Sequence, residues 1–544
     1  MSKSAGKPRV DLWFIAVLAL SLIVAFCIAI FYVPRANVTW DEAHYLVYAY
    51  NIAHAVRTAN PGQFWAATRE QFIFPPFHSW VLGIPLAYIG FSVQKARIIG
   101  LSFIVLSAVG LYILGKLTDQ RRGHIVGCIA GAIFLTSPLM LLYGSLALKE
   151  LLGVTVSIYT VILYDIARKK QLWYWDLLVA LALWVGLITK YNFGLLVAAG
   201  IGLEGLVAVL TVKHKRAVIL HHLVMALPPI VCLIWWIYLP VHSLEPFIAN
   251  LKNSYLDYTS QFAKPGSLNQ LLFYPRAILY GYSVSVWVGA MLLASIVGVI
   301  PYLKNRIVRI SWMIFLLNLI YGTIHANALL ERYILTTIPF LYIVGAYMVV
   351  KVAGWILVYR KSTVLLYVGT GVGILASIFI FLDILKLKTY VYAVGTYVSH
   401  DVLFNQRDYQ DLWFDYDRTK WTANVPTVPF EKPEDVITYI LSITGPYVPL
   451  WVIGHASSFS PWYVELLQDM EKEHGVPSAR DNLSYLALVK ILPSSRFYTR
   501  DYQIYNATHP GDVPLALPDS TYTLVAQKHF AELNIDVEVY SKPR

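Results

Sequence analysis

The feature that most constrains this chain is a series of long apolar runs. A helix needs about 20 apolar residues to cross the roughly 30 Å hydrocarbon core of a bilayer. With 57% hydrophobic and 14% charged residues, the composition is also far from that of a soluble domain. The sequence therefore predicts a polytopic α-helical membrane protein with about 11 transmembrane helices. The expected spans are 11–33, 97–116, 125–142, 151–167, 173–188, 193–212, 217–241, 283–303, 310–328, 333–355 and 363–385.

Basic residues in the loops give the orientation of these spans. Cytoplasmic loops are enriched in Lys and Arg, and with 11 spans every basic cluster falls on one side. The clusters are Lys3/Lys7/Arg9, Lys116/Arg121/Arg122, Arg168/Lys169/Lys170, Lys213/Lys215/Arg216, Lys304/Arg306/Arg309 and Arg360/Lys361. We expect a cytoplasmic N-terminus and an external C-terminus in a multi-pass protein, which would lie in the plasma or inner membrane of a prokaryote.

Charge and cysteine usage exclude several classes of partner. The formal net charge is +11, but the basic residues flank the spans, so we expect membrane lipids as partners and no nucleic acid. All three cysteines (Cys27, Cys128 and Cys232) lie inside apolar runs, which argues against a disulfide framework and against a cysteine metal site. No metal ligand set is predicted.

Hydropathy divides the chain into two parts. Residues 1–386 form the predicted membrane module, and 34–95 form its first outer loop, with a short juxtamembrane or re-entrant helix near 77–91. Residues 387–544 have a globular composition and are predicted to form an extracytoplasmic mixed α/β domain. Its expected helices are 433–441 and 462–474, and its expected strands are 449–454, 485–492, 521–527 and 536–540.

The adjacent carboxylates Asp41 and Glu42 follow the first span, where a helix should emerge into water. Acidic residues in a first helical turn complement the helix dipole. Carboxylates near the apolar phase are also costly and often functional, and one of them could act as a general base. In a helix, His44 and Tyr45 lie on the face of Asp41. Asp41 and His44 are too few ligands to predict a metal site.

Further charged residues lie at the predicted outer ends of later spans. Lys149 and Glu150 open one span and are interpreted either as an interfacial anchor or as a second acidic site in the same cavity. Basic residues are usually concentrated at the cytoplasmic ends of spans, but four are expected at outer ends: Arg97, Lys190, Arg276 and Arg332. Each could be a snorkelling side chain, whereas together they could bind a lipid phosphate.

The ordered outer-loop motifs resemble those of polytopic glycosyltransferases of the GT-C superfamily, in particular the group with protein O-mannosyltransferases and lipid A aminoarabinose transferases. The resemblance covers roughly residues 10–355. It rests on Trp-Asp-Glu-Ala-His-Tyr at 40–45, Pro-Pro-Phe-His at 75–78, Ala-Arg at 96–97, Ser137-Pro138…Gly144…Glu150, Gly186…Thr189-Lys190-Tyr191 and Arg332-Tyr333…Pro339. Phe74 departs from the pattern, because relatives often have Lys or His before the two prolines.

The resemblance implies a GT-C fold and inverting transfer of a sugar from a polyprenyl-phosphate donor to a protein, lipid or glycan acceptor on the outer face. It implies catalytic roles for Asp41, Glu42 and Glu150, with Asp41 as the base; Glu150 stands where many relatives have Asp. The implied substrate-binding residues are His44, Tyr45, His78, Arg97, Lys149, Lys190, Tyr191, Arg332 and Tyr333. No cofactor is predicted, and participation of a divalent cation is left open.

Two other classes of function compete with the enzyme. A lipid or solute transporter or flippase should show an internal repeat and charges in mid-membrane. No repeat is evident, and Glu204 is the main mid-span charge. A structural scaffold with an exterior binding domain leaves the ordered outer-loop motifs without a role.

Overall fold

The structure is a computed structural model of the chain. The residues it describes are 11–31, 33, 40–72, 75–212, 215–239, 268–325, 332–360, 433–444, 450–454, 470, 487–493, 503–506, 523–530 and 535–541. The chain divides into two compact units. The first comprises Met1–Val33, Thr68–His78 and Arg97–Lys388, and the second comprises Pro34–Ala67, Ser79–Ala96 and Thr389–Arg544.

The described part of the first unit is helical. Its helices are α1 (Leu12–Phe31), α5 (Val93–Lys116), α6 (Gly123–Leu135), α7 (Pro138–Gly144), α8 (Lys149–Lys170), α9 (Trp173–Thr189), α10 (Tyr191–Thr211), α11 (Lys215–Ile237), α12 (Leu268–Tyr280), α13 (Val286–Gly298), α14 (Arg306–His325), α15 (Arg332–Leu335) and α16 (Ile338–Arg360). A 3₁₀ turn at Ile300–Tyr302 follows α13.

Seven described helices are long and apolar enough to cross a membrane: α1, α5, α8, α10, α11, α14 and α16. Each corresponds to a span expected from the sequence. Three other expected spans contain shorter helices. The run 125–142 is divided into α6 and α7, because Pro138 has no N–H with which to continue α6. The expected span 363–385 lies outside the described residues.

Small residues allow two of these helices to approach closely. A Cβ atom added to Gly115 of α5 would lie 2.4 Å from the Cα atom of Gly127 in α6. Glycine is therefore required where these backbones meet, as is common at helix contacts in membranes.

Ion pairs fix α14 against its neighbours. Arg309 of α14 donates from Nε and Nη2 to the two carboxylate oxygens of the buried Glu204 in α10, each at 2.6 Å. Arg306 pairs with the buried Asp165 near the end of α8. The mid-span charge of Glu204 is thus matched within the protein, which is the arrangement expected of a structural charge pair in a membrane.

The second unit contains three helices of the predicted outer loop: α2 (Trp40–Arg57), α3 (Pro61–Arg69) and α4 (Phe77–Ile89), of which α3 and α4 begin or end at the boundary with the first unit. α4 packs closely on α2, since a Cβ atom on Gly83 would lie 2.5 Å from the carbonyl oxygen of Ala49. Phe64 stacks on Trp80 with ring centroids 6.1 Å apart. At 13 residues, α4 is too short to be a candidate span.

The second unit also contains α17 (Pro433–Thr444) and a five-stranded mixed sheet. The strands are β1 (Leu450–Gly454), β2 (Ala487–Pro493), β3 (Gln503–Asn506), β4 (Thr523–Phe530) and β5 (Ile535–Ser541), in the order β3-β1-β2-β5-β4. Only the β1–β2 pair is parallel. The sequence predicted a mixed α/β region here with four of these strands and missed the short edge strand β3. The expected helix 462–474 falls almost wholly outside the described residues.

Candidate active site

The N-terminus of α8 carries Lys149 and Glu150, and both residues are fully buried. Glu150 lies in the first turn, where a carboxylate interacts favourably with the positive end of the helix dipole. Burial of both charges argues against the interfacial-anchor interpretation, because an anchor side chain keeps its charged end in water. These two residues instead belong to an enclosed charged cluster.

Lys190 lies at the junction of α9 and α10, with an extended backbone that ends one helix and precedes the next. This reversal brings its side chain to α8, where Nζ lies 3.3 Å from Glu150 Oε1. The Lys190 side chain remains 19% exposed while that of Glu150 is 0% exposed. The pair is thus enclosed at the carboxylate and partly exposed along the lysine side chain.

Two aromatic rings flank the Lys190 ammonium. Nζ lies 4.9 Å from the ring centroid of Phe193 and 5.7 Å from that of Tyr333. Both distances are within the range of cation–π attraction. The Phe193 ring also lies against Gly153, one turn after Glu150, where an added Cβ would come within 2.3 Å of it. Phe193 and Gly153 were not predicted as site residues, and only their spacing from Lys190 and Glu150 in helices could have indicated them.

His78 borders the same cluster. It is buried at the start of α4, hydrogen-bonds to the backbone of Leu148 and interacts electrostatically with Lys149 and Glu150. Burial, reinforced by the charge of Lys149, lowers the pKa of His78 to about 3. His78 is therefore a neutral group at physiological pH and contributes hydrogen bonding rather than positive charge.

Tyr191 has a hydroxyl group that is engaged within the protein. It donates to the carbonyl oxygen of Phe72 at 2.6 Å and accepts from Trp236 Nε1 at 3.0 Å. This bridge ties the start of α10 to the end of α11 and to the segment that leads into His78. These contacts position the start of α10, and the substrate binding that the resemblance implies for Tyr191 stays a prediction. Trp236 carried no sequence signal beyond its place at the end of a span.

Arg97 and Arg332 also belong to the predicted basic set of this unit, as does Arg276 of α12. Arg97 is buried in α5, and its Nη1 donates to the carbonyl oxygen of Val33 at 3.1 Å. One of its donors therefore stabilises the chain just after α1. Arg332 begins α15 and is half-buried beside Tyr333 in sequence. The predicted phosphate contacts of both residues stay predictions.

The acidic motif after the first span lies in α2 of the second unit. Asp41 and Glu42 occupy its first turn, so the expected helix is observed. Glu42 and Tyr45 are buried, and the His44 ring makes an edge contact with Tyr48 at 4.7 Å between centroids. The Asp41 side chain lies outside the described part of the structure, so its role as a base stays a prediction.

No group of three or more His, Cys, Asp or Glu side chains in the described ranges could hold a metal ion. The carboxylates that are described make other contacts, including Glu150 with Lys190 and Glu204 with Arg309.

Residues 74–238 match the family model of dolichyl-phosphate-mannose-protein mannosyltransferases. This segment contains Glu150, Lys190 and Tyr191. The fold is similar to that of ArnT from Cupriavidus metallidurans bound to undecaprenyl phosphate, with a TM-score of 0.52, 14% identity and coverage of 98% of both chains. The chain thus has the membrane-protein fold of ArnT, and residues 74–238 resemble the mannosyltransferase family.

Two further solved structures are similar to this chain. The apo state of the same ArnT aligns with a TM-score of 0.50 and 16% identity, covering 88% of this chain and 92% of that one. The archaeal oligosaccharyltransferase AglB from Archaeoglobus fulgidus, in complex with an inhibitory peptide and a dolichol-phosphate, has a TM-score of 0.46 and 13% identity over 77% and 62% of the two chains. No curated protein sequence matches the chain significantly. The fold class predicted from the sequence is confirmed, and the family-model match agrees with the predicted superfamily and enzyme class.

Proposed function

We propose that this protein is a membrane glycosyltransferase of the GT-C superfamily, which moves a sugar from a polyprenyl-phosphate donor to an acceptor hydroxyl or amine at the outer face of the membrane, with inversion at the anomeric carbon. The observation that carries the proposal is the Lys190 ammonium, which lies between the buried Glu150 carboxylate and the rings of Phe193 and Tyr333. A cation held by a buried carboxylate, on a side chain that is still partly exposed, suits a phosphate oxygen better than it suits bulk water.

The placement of this site supports the outer face. Lys149 and Glu150 begin α8, and Arg168, Lys169 and Lys170 end it. Because clusters of Lys and Arg mark cytoplasmic ends, the opposite end of α8 belongs outside. The same rule assigns the Lys190 end of α10 to the outside, because α10 ends just before the basic loop with Lys213, Lys215 and Arg216. On this orientation residues 387–544 form an external domain.

The donor phosphate would be held by the basic residues of the first unit. Lys190 provides a partly exposed side chain, Lys149 is buried beside Glu150, and Arg97 and Arg332 are further candidates. The polyprenyl chain would lie along the apolar helices, as ArnT is described as binding undecaprenyl phosphate. Guanidinium and ammonium groups at these positions would stabilise the negative charge that develops on the leaving phosphate.

The chemical step needs a base for the acceptor, and Asp41 is assigned that role. Its carboxylate takes the proton of the acceptor hydroxyl or amine as the acceptor oxygen or nitrogen bonds to the anomeric carbon. The bond between that carbon and the phosphate oxygen breaks, and the electron pair leaves with the polyprenyl phosphate. Attack from the opposite face inverts the configuration. Glu42, next to Asp41 in α2, would help to orient the acceptor, and Glu150 would orient Lys190.

Transfer of a radiolabelled sugar tests the proposal directly. Purified protein would be incubated with a panel of polyprenyl-phosphate monosaccharides and with crude membrane acceptors. Labelled acceptor from one donor supports the proposal. Movement of labelled donor across sealed proteoliposomes without any labelled acceptor would contradict it and would favour the flippase.

A further inference from the structure

Asn318 is a buried amide in the membrane-spanning helix α14 that the sequence did not indicate as functional. It lies about two turns before the end of the helix and is almost fully buried. A carboxamide in such a place is costly unless it is hydrogen-bonded. What it bonds to therefore indicates why it is there.

The Asn318 side chain hydrogen-bonds to the short segment, containing Tyr333 and Thr337, that comes after α14 in the chain. Nδ2 donates to the carbonyl oxygen of Tyr333 at 2.9 Å and to Thr337 Oγ1 at 2.8 Å. The Thr337 hydroxyl in turn donates to the carbonyl oxygen of Ile334 at 3.1 Å. A carbonyl oxygen can only accept, so the amide nitrogen is the atom that faces Tyr333.

The Tyr333 segment depends on this amide for its backbone conformation. α15 comprises only four residues, Arg332–Leu335, and a single turn is unstable by itself. The N–H of Thr337, which a continuing helix would direct to Tyr333, bonds to the carbonyl oxygen of Ile334 instead. Asn318 supplies a donor to the Tyr333 carbonyl at the point where the helical pattern ends.

We infer that Asn318 is a positioning residue for donor recognition: its carboxamide fixes the turn of Arg332 and Tyr333 so that the Tyr333 ring holds the Lys190 ammonium beside Glu150. The link is continuous, because the Tyr333 ring lies 5.7 Å from Lys190 Nζ and Lys190 Nζ lies 3.3 Å from Glu150 Oε1. The inference rests on the proposed function. It assigns to Asn318 an effect on the donor phosphate and none on the acceptor.

The test compares Asn318→Leu with wild type in two assays, equilibrium binding of polyprenyl phosphate and steady-state transfer. Leucine has a similar size and no donor. We expect affinity for polyprenyl phosphate to fall about tenfold, KM for the donor to rise in parallel, and KM for the acceptor to stay unchanged. When Asn318→Leu is combined with Lys190→Ala, the double variant should lose little more donor affinity than Lys190→Ala alone. Both substitutions act through the contact between Lys190 and Tyr333.

Three variants keep the test decisive. Thr337→Val removes only the Thr337 hydroxyl that accepts from Asn318, and it should lower donor affinity less than Asn318→Leu does. Thr337→Ser keeps a hydroxyl at this position and should have the donor affinity of the wild type. Ser311→Ala, in the same helix at a buried hydroxyl with no hydrogen-bond partner among the described residues, should leave donor affinity unchanged. If Asn318→Leu does not fold, the donor affinities of Thr337→Val and Thr337→Ser are compared instead.

The outcomes separate the inference from the proposed function. Wild-type transfer with unchanged donor affinity in Asn318→Leu and Thr337→Val would overturn the inference alone. Equal changes in donor and acceptor KM, or full additivity with Lys190→Ala, would also overturn it. Absence of both transfer and polyprenyl-phosphate binding in wild type would overturn the proposed function and the inference with it.

Discussion

The ammonium of Lys190 lies 3.3 Å from the carboxylate of Glu150, although the two residues are 40 positions apart. α8 and α9 run between them, so the pair joins the beginning of one spanning helix to the beginning of another. The lysine is the partly exposed member of the pair. In this geometry an enclosed carboxylate holds a lysine in place, and we propose that this lysine meets the donor phosphate.

Glu150→Gln should therefore weaken transfer even though it removes no positive charge. The neutral amide would leave Lys190 less firmly placed, and we expect kcat/KM for the donor to fall about tenfold, or about 1.4 kcal/mol of transition-state stabilisation. Initial rates at several donor concentrations measure this. Glu70→Gln, at an exposed residue of α3's C-terminal flank, is the matched control and should have wild-type kinetics. Unchanged donor kinetics in Glu150→Gln would contradict the assigned role.

Gly153→Ala should disturb the site through Phe193. The new methyl group would lie within 2.3 Å of the Phe193 ring, so the ring must move away from its place below Lys190. Overpacking of this kind costs about 1–3 kcal/mol. We expect lower thermal stability of the purified protein and a higher KM for the donor. Gly202→Ala, where a Cβ meets nothing within 4 Å, should change neither; equal effects of the two substitutions would contradict the packing argument.

Tyr191→Phe should loosen the segment before His78. The substitution removes the hydroxyl that joins the Phe72 carbonyl to Trp236, and a lost buried hydrogen bond costs about 1 kcal/mol or more. Trp236→Phe should reproduce part of this effect. Thermal unfolding in detergent measures it, with Tyr159→Phe as the control, since that hydroxyl makes one long bond at an exposed position. If Tyr191→Phe lost donor binding with no loss of stability, Tyr191 would be a substrate contact instead.

Stability should fall in mild acid because of His78. The folded protein keeps this side chain neutral until about pH 3, whereas the unfolded chain takes up a proton near its ordinary pKa of 6.5. Below about pH 6.5 the unfolded state therefore binds more protons, and the free energy of unfolding decreases as the pH falls. Unfolding temperatures between pH 7 and pH 5 should drop less in His78→Asn than in wild type. Parallel pH profiles would show that His78 is not held neutral.

The helical part of the fold was predictable because spans depend on local composition. The run 193–212 reads as a span in sequence and forms α10 in the structure. The expected span 283–303 is shorter than predicted, because α13 ends at Gly298 and Pro301 lies in a 3₁₀ turn. A hydropathy window averages over all residues in it and does not detect that proline interrupts the helical hydrogen bonds.

The candidate site was predictable where charge stands out against an apolar background, as at Glu150 and Lys190. The residues that hold this pair do not stand out. Phe193 and Gly153 look like ordinary span residues, and Asn318 becomes visible only when its amide is seen to meet the Tyr333 carbonyl. Such partners are set by tertiary packing between distant segments, which no local pattern encodes.

Sugar transfer by an Asp41→Asn variant is the most direct test of the central claim. Wild type, Asp41→Asn and Glu70→Gln would be incorporated into proteoliposomes at equal amounts and supplied with the active polyprenyl-phosphate sugar and its acceptor. We predict that Asp41→Asn binds polyprenyl phosphate like wild type but transfers sugar at less than about one hundredth of the rate, the lower end of what general-base catalysis contributes, while Glu70→Gln remains fully active. Wild-type transfer by Asp41→Asn would contradict the account of this enzyme as one that uses Asp41 to activate its acceptor.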